Sequence, residues 1–161
     1  KIEGRMRSIY YIATVVNNYR RLIDEYYNGI LTEDRIKYYR NELNKVANRD
    51  NTEQFYNNFP GKNEQYFLGR NEESKQDFLA MVDEYKDGFV TVVSKNYFKT
   101  GDNVEMISPD RETISFVVPE IYDMDGNKLD ASNHPEEKIK FKLDMDVKPY
   151  DMMRIKRKWY M

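Results

Sequence analysis

The sequence predicts an α+β chain: a helical hairpin over residues 1–48, a connection pinned by aromatic residues over 49–76, and a small antiparallel β-barrel over 77–161. Three observations predict it. Apolar residues recur at helical spacing in the first segment. Short β-rich runs punctuated by Gly, Asp, Asn and Pro fill the last. No period survives between them.

The first helix is read over 9–27. Ile9, Ile12, Val16, Tyr19, Ile23 and Tyr26 fall at intervals of three and four and so share one face. Ser8 is the expected N-cap and Asn28-Gly29 the stop, because both residues tolerate the left-handed backbone of a helix C-terminus. Thr32 caps a second helix, with Glu33 and Asp34 at the positive end of its dipole and Ile36, Tyr39, Leu43 and Val46 as its stripe. A short loop makes the pair antiparallel. Two apolar stripes make a weak structure by themselves, so the hairpin needs a further surface to pack on.

Between 49 and 76 a connection this long is unusual in a compact chain. Phe55, Tyr56, Phe59, Tyr66 and Phe67 are expected to pin it to a surface, with a helical turn at Thr52–Tyr56. Strands are expected at Phe78–Tyr85, Phe89–Lys95, Asn103–Ile107, Thr113–Val118, Lys138–Leu143 and Met152–Arg157. Asp87-Gly88 is the strongest hairpin signal among their turns. Closure into a barrel would remove the exposed edges.

Composition excludes several chemistries. The chain has no Cys, so disulfides, zinc-thiolate sites, iron–sulfur ligation and Cys nucleophiles are absent from these residues. This fits a cytoplasmic protein. No apolar run reaches the roughly 20 residues that span a bilayer, so no membrane partner is expected. Net charge is −2 overall, with a slight basic excess before residue 76 and an acidic one after it, so any RNA contact must come from a local patch.

The motif candidates are few. Asp83-Glu84 and Glu136-Glu137 are adjacent carboxylates. Strand neighbours point to opposite faces, so a solvated surface is expected rather than an acid–base pair. Asp123, Asp125 and Asn127 alternate like calcium ligands, but Gly126 and the missing closing Glu favour a β-turn. His134, the sole histidine, lies in a polar loop without partners for a triad or a metal. The sharpest pattern is basic. Lys138, Lys140 and Lys142 alternate with Ile139, Phe141 and Leu143. Arg154, Lys156 and Lys158 alternate around Ile155 in the same way. On neighbouring strands these six cations would form a phosphate-neutralising patch. The simpler reading is a solvated outer face that resists edge pairing.

Lys1-Ile2-Glu3-Gly4-Arg5-Met6-Arg7-Ser8, then Tyr10-Tyr11-Ile12-Ala13-Thr14-Val15-Val16, Tyr19-Arg20 and Ile23-Asp24, resemble the collagenase-like peptidase family U-thirty-two (U32). The opening pentapeptide also matches a protease site used in expression vectors; the resemblance, which continues through the residues after it, implies a native segment. Ala47–Phe55 is similar to the family's His-Arg, Thr-x-Gly-Phe pattern, with Asn48 for His and Gln54 for Gly. Phe98-Lys99-Thr100-Gly101-Asp102-Asn103-Val104-Glu105 is similar to the Phe-x-x-Gly-Asp-x-x-Glu motif of its C-terminal barrel. That barrel resembles the second domain of translation elongation factors.

The resemblance implies an N-terminal catalytic domain outside this chain, bearing cysteines and in some members an iron–sulfur cluster. The hairpin would end the catalytic region, and Glu3, Arg5 and, more distantly, Arg49 would face its site. These residues alone imply no catalysis and no cofactor. The implied role is accessory: substrate recognition, for instance of a collagen-like peptide, or bracing of the catalytic domain. The alternative is RNA docking in a member that supports hydroxylation of tRNA wobble uridine.

Overall fold

The structure, a computed structural model, describes residues 1–46, 55–56, 59–62 and 74–157. It divides into two compact units, Lys1–Lys75 and Gln76–Met161.

In the first unit, α1 (Ile9–Tyr27) begins where Ser8 Oγ accepts the Tyr11 amide and ends at Asn28, with Gly29 at φ +67°. α2 (Glu33–Leu43) begins where Thr32 Oγ1 accepts the Arg35 amide. Both caps fall where the sequence places them. The helices are clamped by one polar cluster. Arg35 donates to Glu25 (Nη2 to Oε1 2.6 Å) and to the Tyr39 hydroxyl (2.9 Å), and Tyr39 donates to Glu25 Oε1 (2.6 Å). Tyr39 is buried, which pushes its hydroxyl pKa up. The Arg35 guanidinium holds the Glu25 carboxyl below its ordinary range against the opposing effect of burial.

The periodic stripe of α1 does not form the interior. Tyr10, Thr14, Val15 and Asn18 are buried, whereas Ile9, Ile12, Val16, Tyr19, Ile23 and Tyr26 are all exposed, Tyr26 at 66%. The expected pinning of the connection also fails at its described aromatics, since Phe55, Tyr56 and Phe59 are exposed. Tyr66, Phe67 and most of the Thr52–Tyr56 turn lie outside the described residues.

In the second unit the six expected strands appear as β1 (Gln76–Lys86), β2 (Phe89–Ser94), β4 (Asn103–Ser108), β5 (Arg111–Val117), β9 (Lys138–Lys142) and β10 (Met152–Lys156). Four two-residue strands join them: β3 (Phe98–Lys99), β6 (Ile121–Tyr122), β7 (Lys128–Leu129) and β8 (Ala131–Ser132). Asp87 and Gly88, at φ +52° and +79°, form the tight turn between β1 and β2. All pairings are antiparallel. One eight-stranded sheet runs β5-β4-β10-β1-β2-β9-β6-β7, and β3 pairs with β8.

The sheet curls around a single core of Leu79, Val82, Val90, Val92, Phe98, Met106, Ile121, Ile139, Phe141 and Met153. It curls far enough that Phe116 on β5 meets Phe141 on β9, with ring centroids 6.3 Å apart. Among the described residues, the outermost strands β5 and β7 are not hydrogen-bonded to each other, so the ladder is not continuous around the ring.

Two expectations about the basic strands are corrected. β9 and β10 are not neighbours, because β1 and β2 lie between them. Arg154 does not face solvent. β10 lies between β4 and β1 and is buried on both faces, with Met153 and Arg154 both at 0% exposure. A strand covered on both sides loses the in–out alternation. Arg154 sits directly opposite Glu105 and pairs with its carboxylate (Nε to Oε2 2.6 Å), while Ile155 is half-buried. A bulge between Val82 and Glu84 leaves Asp83 and Glu84 both exposed rather than on opposite faces.

Truncating Arg154 empties a fully buried position and takes the cation from Glu105, whose carboxylate is half-buried. Arg154→Ala is expected to cost about 2–5 kcal/mol, whereas Lys156→Ala at the exposed strand end should stay within about 0.5 kcal/mol. Urea unfolding followed through the β unit measures both. In the hairpin, a lowered Glu25 pKa means its stabilisation is present above the ordinary carboxylate range and lost as pH falls through the folded value. Glu25→Gln should therefore weaken amide-exchange protection of α1 and α2 at neutral pH by about 1–3 kcal/mol, and wild type and variant should converge in acid.

Candidate nucleic-acid interface

β9 alternates as its sequence predicts. Ile139 and Phe141 are at 0% exposure in the core, while Lys138 and Lys142 are exposed and Lys140 is half-buried on the other face. Pairing extends that face across β2 and β1. Lys142 lies opposite Phe89, and Phe89 opposite Lys86. Lys140 lies opposite Thr91 on one side and Tyr122 on the other.

The three lysines differ electrostatically. Lys138 is held by Asp83 (Nζ to Oδ2 2.8 Å), a contact that raises its pKa. Lys140 Nζ reaches the Met124 carbonyl at 3.4 Å. Lys142 and Lys86 form no ion pair among the described residues, and they flank Phe89, which is 38% exposed. The row Lys86–Phe89–Lys142 thus offers two available cations beside an aromatic face, a combination suited to a phosphate backbone carrying an unstacked base. Lys128 on β7, one strand beyond Tyr122, is engaged by Glu120 at 2.5 Å.

Lys86 and Phe89 escaped the sequence reading, although a signal was present. They flank Asp87-Gly88, and a two-residue hairpin turn makes its flanking residues cross-strand partners.

The remaining candidates are dispersed. Arg154 is buried and paired with Glu105. Lys156 is exposed at the end of β10, with β1 and β2 between it and β9. Lys158 and Arg49 lie outside the described residues. Glu3 and Arg5 are exposed, and Glu3 Oε1 accepts the Arg5 amide at 2.6 Å.

Asp123 spends both carboxylate oxygens on Asn127, on its amide and its side-chain nitrogen at 2.8 Å each, which lowers its pKa and marks a turn. His134 is exposed. No group of three or more His, Asp or Glu that could hold a metal occurs among the described residues. No helix among them is long and apolar enough to cross a membrane.

Comparison with known proteins bears on both units. Residues 1–66 match the description of peptidase family U32, and residues 74–154 match the peptidase family U32 C-terminal domain. The chain is 42% identical over 160 residues to tRNA hydroxylation protein P1 of Bacillus subtilis (strain 168), covering 96% of this chain and 37% of that protein. It is 30% identical over 135 residues to tRNA hydroxylation protein P of Haemophilus influenzae, covering 82% of this chain and 28% of that protein. It therefore spans little more than a third of these relatives' length at most. A crystal structure of the C-terminal domain of a Geobacillus thermoleovorans protein described as a U32 peptidase is similar over 50% of this chain and 92% of its own, at 40% identity and a TM-score of 0.47. With family matches on both units and the C-terminal domain match alone spanning half of its residues, the chain belongs to peptidase family U32.

Proposed function

We propose that this chain is the accessory region of a protein that supports tRNA hydroxylation, and that its β unit docks RNA. The observation that carries the reading is the outer face of β9, β2 and β1. There Lys142 and Lys86, which form no ion pair among the described residues, stand on either side of exposed Phe89, and Lys138 and Lys140 continue the same face. The names of the relatives support the substrate class. The Phe98-to-Glu105 motif is similar to that of the family's C-terminal barrel, and the resemblance of that barrel to the second domain of translation elongation factors supports the reading by fold-level analogy.

An iron–sulfur cluster, where the longer protein uses one, takes its thiolates from outside this chain, which has no Cys. The same lack of Cys supports a cytoplasmic setting. Recognition of a collagen-like peptide is less well supported, because Phe98, the aromatic that opens the Gly-Asp motif, is in the core and not on the surface.

A specific observation favours a second role for the hairpin. The six exposed apolar residues of α1 form one continuous stripe, and soluble surfaces rarely leave such a stripe bare. We assign it to bracing against the preceding catalytic region of the longer protein. Glu3, Arg5 and Arg49 are proposed to lie toward that region's site.

Titration of the chain with labelled tRNA at several salt concentrations tests the main reading. Binding should weaken steeply with salt. Changing Lys138, Lys140 and Lys142 together to Glu should lower affinity about tenfold or more and flatten the salt slope by about 2–3. Absence of binding at low salt would overturn it. For the second reading, Ile12→Glu with Ile23→Glu in the longer protein should leave helical content unchanged and raise protease cleavage between its segments. Unaltered cleavage would count against bracing.

A further inference from the structure

The β unit holds an open pocket of about 460 Å³ lined by Asp77, Asn96, Tyr97, Lys99, Asp102, Ile155, Lys156 and Arg157. Its construction begins in the sequence at Phe98. That side chain is locked into the core at 0% exposure, so its neighbour Tyr97 is displayed outward at 59%.

The loop carrying Tyr97 is tied down. The amides of Lys95 and Asn96 both donate to the Leu79 carbonyl (2.7 and 3.1 Å), and Asn96 Nδ2 donates to the Phe78 carbonyl (2.7 Å). The ring is thus presented from fixed backbone and loses little freedom when a partner covers it.

The charges around it are uneven in their commitments. Asp77 is taken by Arg157, Oδ1 to Nε at 3.4 Å, and Asp102 Oδ2 accepts the Lys99 amide at 3.0 Å. The ammonium groups of Lys99 and Lys156 form no ion pair among the described residues. Half-buried Ile155 adds an apolar wall. A flat aromatic face with two available cations beside it suits a base joined to a phosphate. The volume lies within the range of small-ligand sites.

We infer that this pocket binds one nucleotide of single-stranded RNA, with the base stacked on Tyr97 and the phosphate held by Lys99 and Lys156. The inference rests on the RNA reading above and adds to it a second contact, off the β9 face, that selects an unpaired nucleotide over a duplex. Base stacking needs the flat face of the ring and not its hydroxyl, so Phe should serve at position 97.

The test is fluorescence anisotropy of the whole chain with a labelled single-stranded oligoribonucleotide, with the same sequence as a duplex, and with tRNA. It is accompanied by NMR of the tyrosine ring protons. The single strand should bind more tightly than the duplex and shift the Tyr97 ring resonances upfield. Tyr97→Ala should weaken single-strand binding about tenfold, Tyr97→Phe should restore it, and Lys99→Ala with Lys156→Ala should flatten its salt dependence. Each altered side chain is exposed, and an unchanged melting temperature verifies that the variants fold.

If tRNA binding is lost on the β9 charge reversals but the pocket variants change nothing, the pocket assignment is overturned while the RNA reading stands. If inorganic polyphosphate binds as tightly as the oligonucleotide and Tyr97→Ala leaves both unchanged, the site is a simple anion site and the stacking assignment is overturned. If no RNA binds at low salt, both readings fall.

Discussion

The β unit depends on one strand that must be covered on both sides. β10 lies between β4 and β1, and without it the sheet falls into two parts, β4–β5 and the group from β1 to β7. Burial of Met153 in the core draws the strand in from one face, and the Arg154–Glu105 pair locks it to β4 on the other. A charge held at 0% exposure is tolerated only because its partner stands directly across the ladder. The curl that brings Phe116 to Phe141, and therefore the shape of the surface offered outside, follows from having these strands joined through β10.

Much of this was legible in residue order, and the limits have physical causes. Turns announced themselves, because Asp87-Gly88 and Gly126 occupy left-handed backbone that few residues accept. β9 was legible to the side chain, because it has one wet face. β10 was not, since alternation fails for a strand covered on both sides, and nothing local in Arg154 distinguishes a paired interior arginine from a surface one. Strand order is a property of distant pairings, so the expected patch uniting β9 and β10 had no local signature to rest on. The two-residue strands are too short to carry a period.

Helix α1 shows a different limit. Periodicity identified the apolar stripe but not its destination. The buried face instead runs through Tyr10, Thr14, Val15 and Asn18, with Asn18 satisfying itself on the Thr14 carbonyl at 2.7 Å. The hairpin is held by a partly polar face and by the Glu25–Arg35–Tyr39 cluster, and its most apolar surface remains turned outward.

The pairing of Gln76 with Lys156 joins the first strand of the β unit to its last. A body whose entry and exit lie side by side behaves as a cassette. It can be set into or removed from a loop of another protein without pulling the flanking chain apart, and it can be circularly permuted by linking those two points and opening an exposed turn elsewhere. The Asp125-Gly126 turn, exposed and remote in sequence from both ends, is the natural place for the new opening.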